Sequence, residues 1–302
     1  WAVTFYPKDL PQRRELECAS RALPTIELNG SFYSLQMPRS WQAWHDATPP
    51  DFVFSVKAPR YITHMLRLRD VAVPMANFFA SGIANLGAKL GPILWQLPPT
   101  MKFDKGLLDE FFALLPRDTL AAAALARDHD AKVEGRTVLD YGPVKRTLRH
   151  AVEVRHESFA TAQFVAMLRK QRIGWVVADT AGRWPEFLDV TTDFVYVRLH
   201  GATELYNSSY SDAEIERWAK RIARWRAGSS TAERARIAAP AADRRGGRDV
   251  FCYFDNTDKV HAPRNAQRLL ARLGLATAGA VARTPLPVKN GGAVKARPVR
   301  RR

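Results

Sequence analysis

Lys57, Glu153, Arg155, Arg198 and His200 each close a short run of apolar residues, in FSVK, VEVRH and YVRLH. Glu27 and Asn29 close TIELN, Gln96 closes ILWQ and Asp179 closes VVAD in the same way. A carboxylate next to cations stays ionised and serves as a base or an orienting group, which suits Glu153 beside Arg155. His200 is the side chain best poised to move a proton near neutral pH. Lys57 could form a Schiff base if it were desolvated, but beside carboxylates it is expected to stay protonated and to stabilise charge. Arg155, Arg198 and Arg60 offer forked donors to a phosphate or carboxylate. The catalytic candidates are therefore Glu153, His200, Lys57 and Asp179. The ligand-binding candidates are Glu27, Asn29, Tyr33, Arg60, His64, Gln96, Arg155, His156, Arg198 and Asn256.

The chemistry expected of this set is acid/base and electrostatic catalysis on a phosphorylated or otherwise anionic substrate, of hydrolase or lyase type, with no cofactor required. A divalent metal is the rival reading, as in a metal-dependent phosphoester hydrolase. His64, His156, His200, Glu27, Glu153 and Asp179 include suitable ligand types. Against it, the histidines lack HxH or HExxH spacing and three cations share the same region.

Parity decides what could position these groups, because successive strand side chains point to opposite faces. Val152 and Val154 fall opposite Glu153 and Arg155. Val195, Val197 and Leu199 fall opposite Tyr196, Arg198 and His200. Phe54 and Val56 oppose Ser55 and Lys57, and Ile26 and Leu28 oppose Glu27 and Asn29. Polar residues gathered on one face at the C-terminal ends of buried strands predict an α/β fold, a TIM-type (β/α) barrel with its chemistry at one mouth.

Strands are expected at 25–29, 52–57, 93–96, 151–155, 175–179, 194–200 and 250–255, alternating with helices. Asp104 and Ser211 read as helix N-caps. The helices are placed at 39–47, 74–90, 104–115, 120–129 and 161–172, with one after Ser211 and one from about Pro263. Seven strands leave the barrel one short of closure.

The 302 residues, 46% of them apolar, suffice for one large core. They divide into a barrel domain over 1–282, a low-complexity insertion at 227–248 and a basic, disordered tail at 283–302. The formal charge of +16 falls to +9 once the seven Lys and Arg of that tail are set aside. This basicity supports an alternative function, a non-catalytic nucleic-acid-binding module, although neither basic segment interleaves aromatic residues with its charges. No apolar run is long enough to span a membrane. Two distant cysteines, Cys18 and Cys252, and no visible leader point to the reduced cytoplasm.

The stretches ELNGSFY, FSVKAPRYITH, ILWQLPP, AVEVRHESF, VVADTAG, YVRLHG and YFDN with HAPRNA resemble the domain of unknown function 72 family, also called YecE-like. The resemblance runs from about Trp1 to Leu275 and keeps the order of the motifs. It implies a TIM barrel and no particular reaction. It also implies a first strand and glycine-containing loop ahead of FYP, which this sequence lacks, and a shorter connection where 227–248 stands. By the same resemblance, Gln96 and His200 occupy the strand ends where many barrel glycosidases keep paired carboxylates, which disfavours glycoside hydrolysis.

Overall fold

The computed structural model describes residues 5–201, 203, 208–230, 235–256 and 261–275. Seven strands are found among them: β1 (Thr25–Leu28), β2 (Val53–Lys57), β3 (Leu90–Gln96), β4 (His150–Glu153), β5 (Gly174–Asp179), β6 (Phe194–Leu199) and β7 (Asp249–Phe254). All neighbours are parallel and follow chain order. Parallel neighbours need crossovers, and these are supplied largely by helices; with α1 (Glu15–Ala22) ahead of β1 and α9 (His261–Arg272) after β7, the helices between strands are α2 (Gly30–Tyr33), α3 (Pro38–Asp46), α4 (Ala72–Ala80), α5 (Lys105–Leu114), α6 (Thr119–Ala126), α7 (Ala162–Gln171) and α8 (Asp212–Arg226).

The expected strands are all present, within three residues at either end. The helix expected over 74–90 is interrupted. α4 stops at Ala80, and a 3₁₀ segment starts after Gly82, whose φ is +103° and whose Cβ position would lie 2.6 Å from the Pro38 backbone. Only glycine accepts both conditions. The helix α1 was not anticipated from the sequence. The expected caps hold: Asp104 accepts from Leu107 N at 3.1 Å, and Ser211 and Glu214 form a reciprocal capping box.

Both faces of the sheet are covered, as its consecutive apolar runs require. On the outer face, Phe54, Val56, Ile93, Trp95, Val152 and Trp175 pack with Phe78, Phe79, Phe111 and Phe164 from the helices. Val177, Val195, Val197 and Leu199 meet Ile215, Trp218, Ile222 and Trp225 of α8. The inner face is filled by Leu94, Ala151, Val176, Ala178, Phe194, Tyr196 and Tyr253. The barrel is nearly closed: no ladder joins β1 to β7 among the described residues, but Thr25 Oγ1 and the Tyr253 hydroxyl meet at 2.8 Å across the seam. A groove of about 800 Å³ runs along it, lined by Ile26, Val250, Cys252, Phe254 and the Leu269 and Leu273 side of α9.

The described part of 227–248 is docked on the barrel. Buried Asp189 accepts from Ile237 N at 2.8 Å and from Ala238 N at 3.0 Å, and Arg169 Nη2 donates to Ala239 O at 2.8 Å. The tail assigned to 283–302 lies outside the described residues. Among those residues, no helix is long and apolar enough to cross a membrane.

Candidate active site

Arg198 stands at the centre of the mouth. Parity turns it inward between Tyr196 and His200, and none of it reaches solvent. Its Nε donates to Glu27 Oε2 at 3.1 Å, and its Nη2 donates to Glu27 Oε1 at 2.9 Å and Asp255 Oδ2 at 2.7 Å. Its Nη1 donates to Glu153 Oε2 at 2.7 Å and lies 3.5 Å from His200 Nε2. A buried charge is tolerable only when its hydrogen bonds are met, and this guanidinium is fully committed to the protein. The Tyr196 hydroxyl adds a 2.6 Å hydrogen bond to Glu27 Oε2.

Three carboxylates around one guanidinium leave negative charge in excess, which Arg155 and Lys57 offset. Arg155 Nε donates to Glu153 Oε1 at 2.8 Å, and its guanidinium lies 4.0 Å over the Trp184 ring. Burial alone would raise the Glu153 carboxyl, but Arg198 and Arg155 hold it well below the usual carboxylate range. Asp255, whose burial also opposes ionisation, is likewise held down by Arg198 and by His200, whose Nδ1 lies 3.2 Å from Asp255 Oδ2. The Asp255 side chain is 28% exposed, whereas those of Glu153, Arg198 and His200 are at most 1% exposed.

Lys57 Nζ lies 4.1 Å from the centre of the Phe32 ring, with no hydrogen-bond or ion-pair partner among the described residues. Burial, followed by repulsion from Arg198, pushes it down to about 8 despite the attraction of Glu27, Glu153 and Asp255. Its strand is tied to α2 by Ser31 Oγ, which donates to Lys57 O at 2.7 Å. His64 completes this side: its ring meets Phe32 edge to face at 5.1 Å, and its Nε2 lies 3.5 Å from Gln96 Nε2. Burial and then Lys57, Arg155 and Arg60 push His64 down to about 4, so it is neutral at physiological pH.

The structure thus brings together Glu27, Lys57, His64, Gln96, Glu153, Arg155, Arg198 and His200. It does not bring Asp179 into this group. Asp179 shares its parity with Trp175 and Val177 and turns toward Tyr210 and Trp218, where burial raises its carboxyl. His156 turns away as well, accepting from Ser158 N at 3.1 Å as the cap of a 3₁₀ turn. Asn256 is buried and donates to Ser208 O at 3.1 Å. Asn29 and Arg60 are exposed at the rim, and Tyr33 is 71% exposed. Asp255 and Trp184 were missed. Asp255 was legible from the alternation of Phe251, Tyr253 and Asp255, whereas Trp184 sits in a loop that no periodicity places.

The carboxylates converge on a guanidinium rather than on open space. No group of three His, Cys, Asp or Glu residues stands in a metal-holding arrangement among the described residues.

A parallel barrel with a charged C-terminal mouth defines the class of protein. The chain belongs to the family described as protein of unknown function DUF72, whose model matches residues 1–290. The UPF0759 protein YunF of Bacillus subtilis (strain 168) is 31% identical over 101 residues, which cover 32% of this chain and 36% of that protein, so the match spans about a third of the relative's length. The crystal structure of a DUF72 family protein from Thermotoga maritima MSB8 superposes with a TM-score of 0.62 at 24% identity, covering 89% of this chain and 92% of the other. A DUF72 family protein from Enterococcus faecalis V583 gives 0.61 at 16% identity, covering 87% and 94%. At these identities the two structures speak for the fold alone.

Proposed function

We propose that this barrel is an enzyme that binds a small phosphorylated or carboxylated substrate at its mouth and transforms it by acid/base and electrostatic catalysis. One observation carries the reading. Glu27, Glu153, Arg198 and His200 form a buried, fixed frame, and that frame presents three groups with chemistry to spare. These are the terminal nitrogens of Arg155, the Lys57 ammonium and the partly exposed Asp255 carboxylate.

Their roles follow from what each has left to offer. Arg155 spends Nε on Glu153, and its two terminal nitrogens have no partner among the described residues, so they are available as a fork for an anion. Glu153 and Trp184 hold that fork in place from its edge and its face. Asp255 is ionised and accessible, and His200 behind it can share a proton without touching the substrate. A filled, ionised frame costs no reorganisation when charge develops above it.

The test is anion-dependent thermal unfolding with inorganic phosphate and pyrophosphate as probes, followed by turnover screening of small phosphorylated and carboxylated metabolites. A ligand that binds only the folded state raises the melting temperature with its concentration. Wild type should respond, and R155M should lose the response while remaining folded. If R155M responds like wild type, the anion binds elsewhere on this basic chain and the reading fails.

A further inference from the structure

Lys57 is unusual among the charged residues of the mouth. Arg198 and Glu153 are bonded on every side that faces the protein, and Arg155 is clamped by Glu153 and Trp184. Lys57 shares their parity, yet its Nζ meets an aromatic face rather than an acceptor. Phe32, on α2 after β1, packs its ring against the ammonium, and Lys57 is buried. A structural ion-pair network would place an ammonium against one of the carboxylates; here all three carboxylates are bonded to Arg198 instead.

An amine kept from acceptors, out of bulk water and beside a guanidinium is the arrangement that frees a lysine lone pair. We propose that Lys57 is a carbonyl-capturing amine that forms an imine with a small aldehyde or ketone carrying a phosphate or carboxylate. This rests on the reading of the mouth as an anion site, and narrows its substrates to carbonyl compounds.

The step balances without an oxidant or reductant. The ammonium first gives up a proton to water at the mouth, which its lowered basicity permits. The nitrogen lone pair then forms a C–N bond to the carbonyl carbon while the C=O π pair moves to oxygen, and a proton passes from nitrogen to that oxygen to give a neutral carbinolamine. The hydroxyl takes back the proton that the ammonium gave up, the C–O bond breaks with loss of water, and the nitrogen lone pair closes the C=N bond to a protonated imine. That cation draws electrons from the neighbouring carbon, which is the purpose of covalent capture in carbon–carbon bond cleavage and in proton abstraction next to a carbonyl. The substrate's anionic end would be held by Arg155.

The groups that face Lys57 come from every element around it: Glu27 of β1, His64 from the segment after β2, Glu153 and Arg155 at the end of β4, Arg198 of β6 and Asp255 after β7. Because burial and Arg198 bring Lys57 down to about 8, its neutral fraction at pH 7 exceeds that of an ordinary lysine by roughly 250-fold. Its lower basicity offsets part of this, leaving a reactivity advantage of about tenfold.

The experiment treats the full chain with glycolaldehyde phosphate and cyanoborohydride and maps the reduced adducts by peptide mass spectrometry between pH 6 and pH 9. Lys57 should label about tenfold faster than an exposed lysine such as Lys105, with a rate that rises through pH 8 and then levels off. Inorganic phosphate should protect it. A Lys57 that labels no faster than Lys105 overturns the proposal. This result needs no variant and so does not depend on whether a substituted chain folds. K57R keeps the charge and should remain folded and stabilised by phosphate without labelling, which separates imine formation from anion binding. If phosphate stabilises the wild type through Arg155 but Lys57 stays unlabelled, the anion site stands and the imine falls. If Lys57 labels equally fast with unphosphorylated glycolaldehyde and phosphate does not protect, the amine stands and the anion site falls.

Discussion

Arg198 and Glu27 join strands that share no ladder. Arg198 Nε reaches Glu27 Oε2 at 3.1 Å and its Nη2 reaches Glu27 Oε1 at 2.9 Å, a two-point contact from β6 to β1 across the mouth. With Thr25 and Tyr253 below it, this contact spans the seam that the sheet leaves open. The same guanidinium that organises the candidate site therefore also holds the barrel's two edges in register. R198M should cost about 3 to 5 kcal/mol in denaturant unfolding, because it strands Glu27, Glu153 and Asp255 together in a buried space. R198K, which keeps one charge but loses the fork, should recover only part of that. A loss under 1 kcal/mol for R198M would mean that water already neutralises the carboxylates.

The Asp189 contacts make a local prediction. Its buried carboxylate receives the backbone N–H groups of Ile237 and Ala238, so it pins the Ala- and Arg-rich insertion to the barrel. Hydrogen bonds to a charged group contribute about 1.5 to 3 kcal/mol. D189A should raise amide exchange at Ile237 and Ala238 while leaving the exchange of β6 unchanged. Equal protection in the variant would show that other contacts hold the segment.

The tail from Arg283 carries seven Lys or Arg and no acid. Its affinity for nucleic acid should be nonspecific and steeply salt-dependent, since counterion release sets the strength of such contacts. Removing residues 283–302 should weaken duplex binding and flatten its dependence on salt, without changing the response of the mouth to phosphate. If both curves are unchanged by the truncation, the basic surface of the barrel itself does the binding.

The inward set of the candidate site was legible because a strand's period is two, so Ser55 with Lys57, Glu153 with Arg155, and Tyr196 with Arg198 and His200 could be paired by counting. The same count applied to Trp175, Val177 and Asp179 puts Asp179 outside, and applied to Phe251, Tyr253 and Asp255 puts Asp255 inside. What mattered for Asp179 was its parity, not its place at a strand end. Residues in the connecting segments had no such period. His156 became a cap and Tyr33 an exposed ring, while Trp184 arrived over Arg155 from a loop between β5 and β6. The character of Lys57 was also not legible. Nearby carboxylates suggested a protonated lysine, as a group at about 8 mainly is at pH 7, but those carboxylates are engaged by Arg198, so the lowering of its basicity by burial was not foreseen.

Two histidines contribute to the sensitivity of this fold to acid. Trp95 Nε1 can only donate, and it meets His150 Nδ1 at 3.1 Å; Pro116 O can only accept, and it lies 2.8 Å from His150 Nε2. The imidazole is therefore held as the Nε2-protonated neutral form, with no room for a second proton at Nδ1. Burial pushes His150 down to about 4, as burial and the neighbouring cations do for His64. Between the ordinary histidine value of 6.5 and about 4, the unfolded chain binds protons that the folded chain refuses. Stability should be fully present above pH 6.5 and fall as the pH drops toward 4. The loss is on the order of 3 kcal/mol for fully buried His150, and smaller for the half-buried His64. Urea unfolding at pH 7 and pH 4.5 measures it. H150L should start from a lower stability, since Trp95 and Pro116 lose their partner, yet lose less between the two pH values than wild type does. Identical losses in the two proteins would show that His150 is not the group that carries the acid sensitivity.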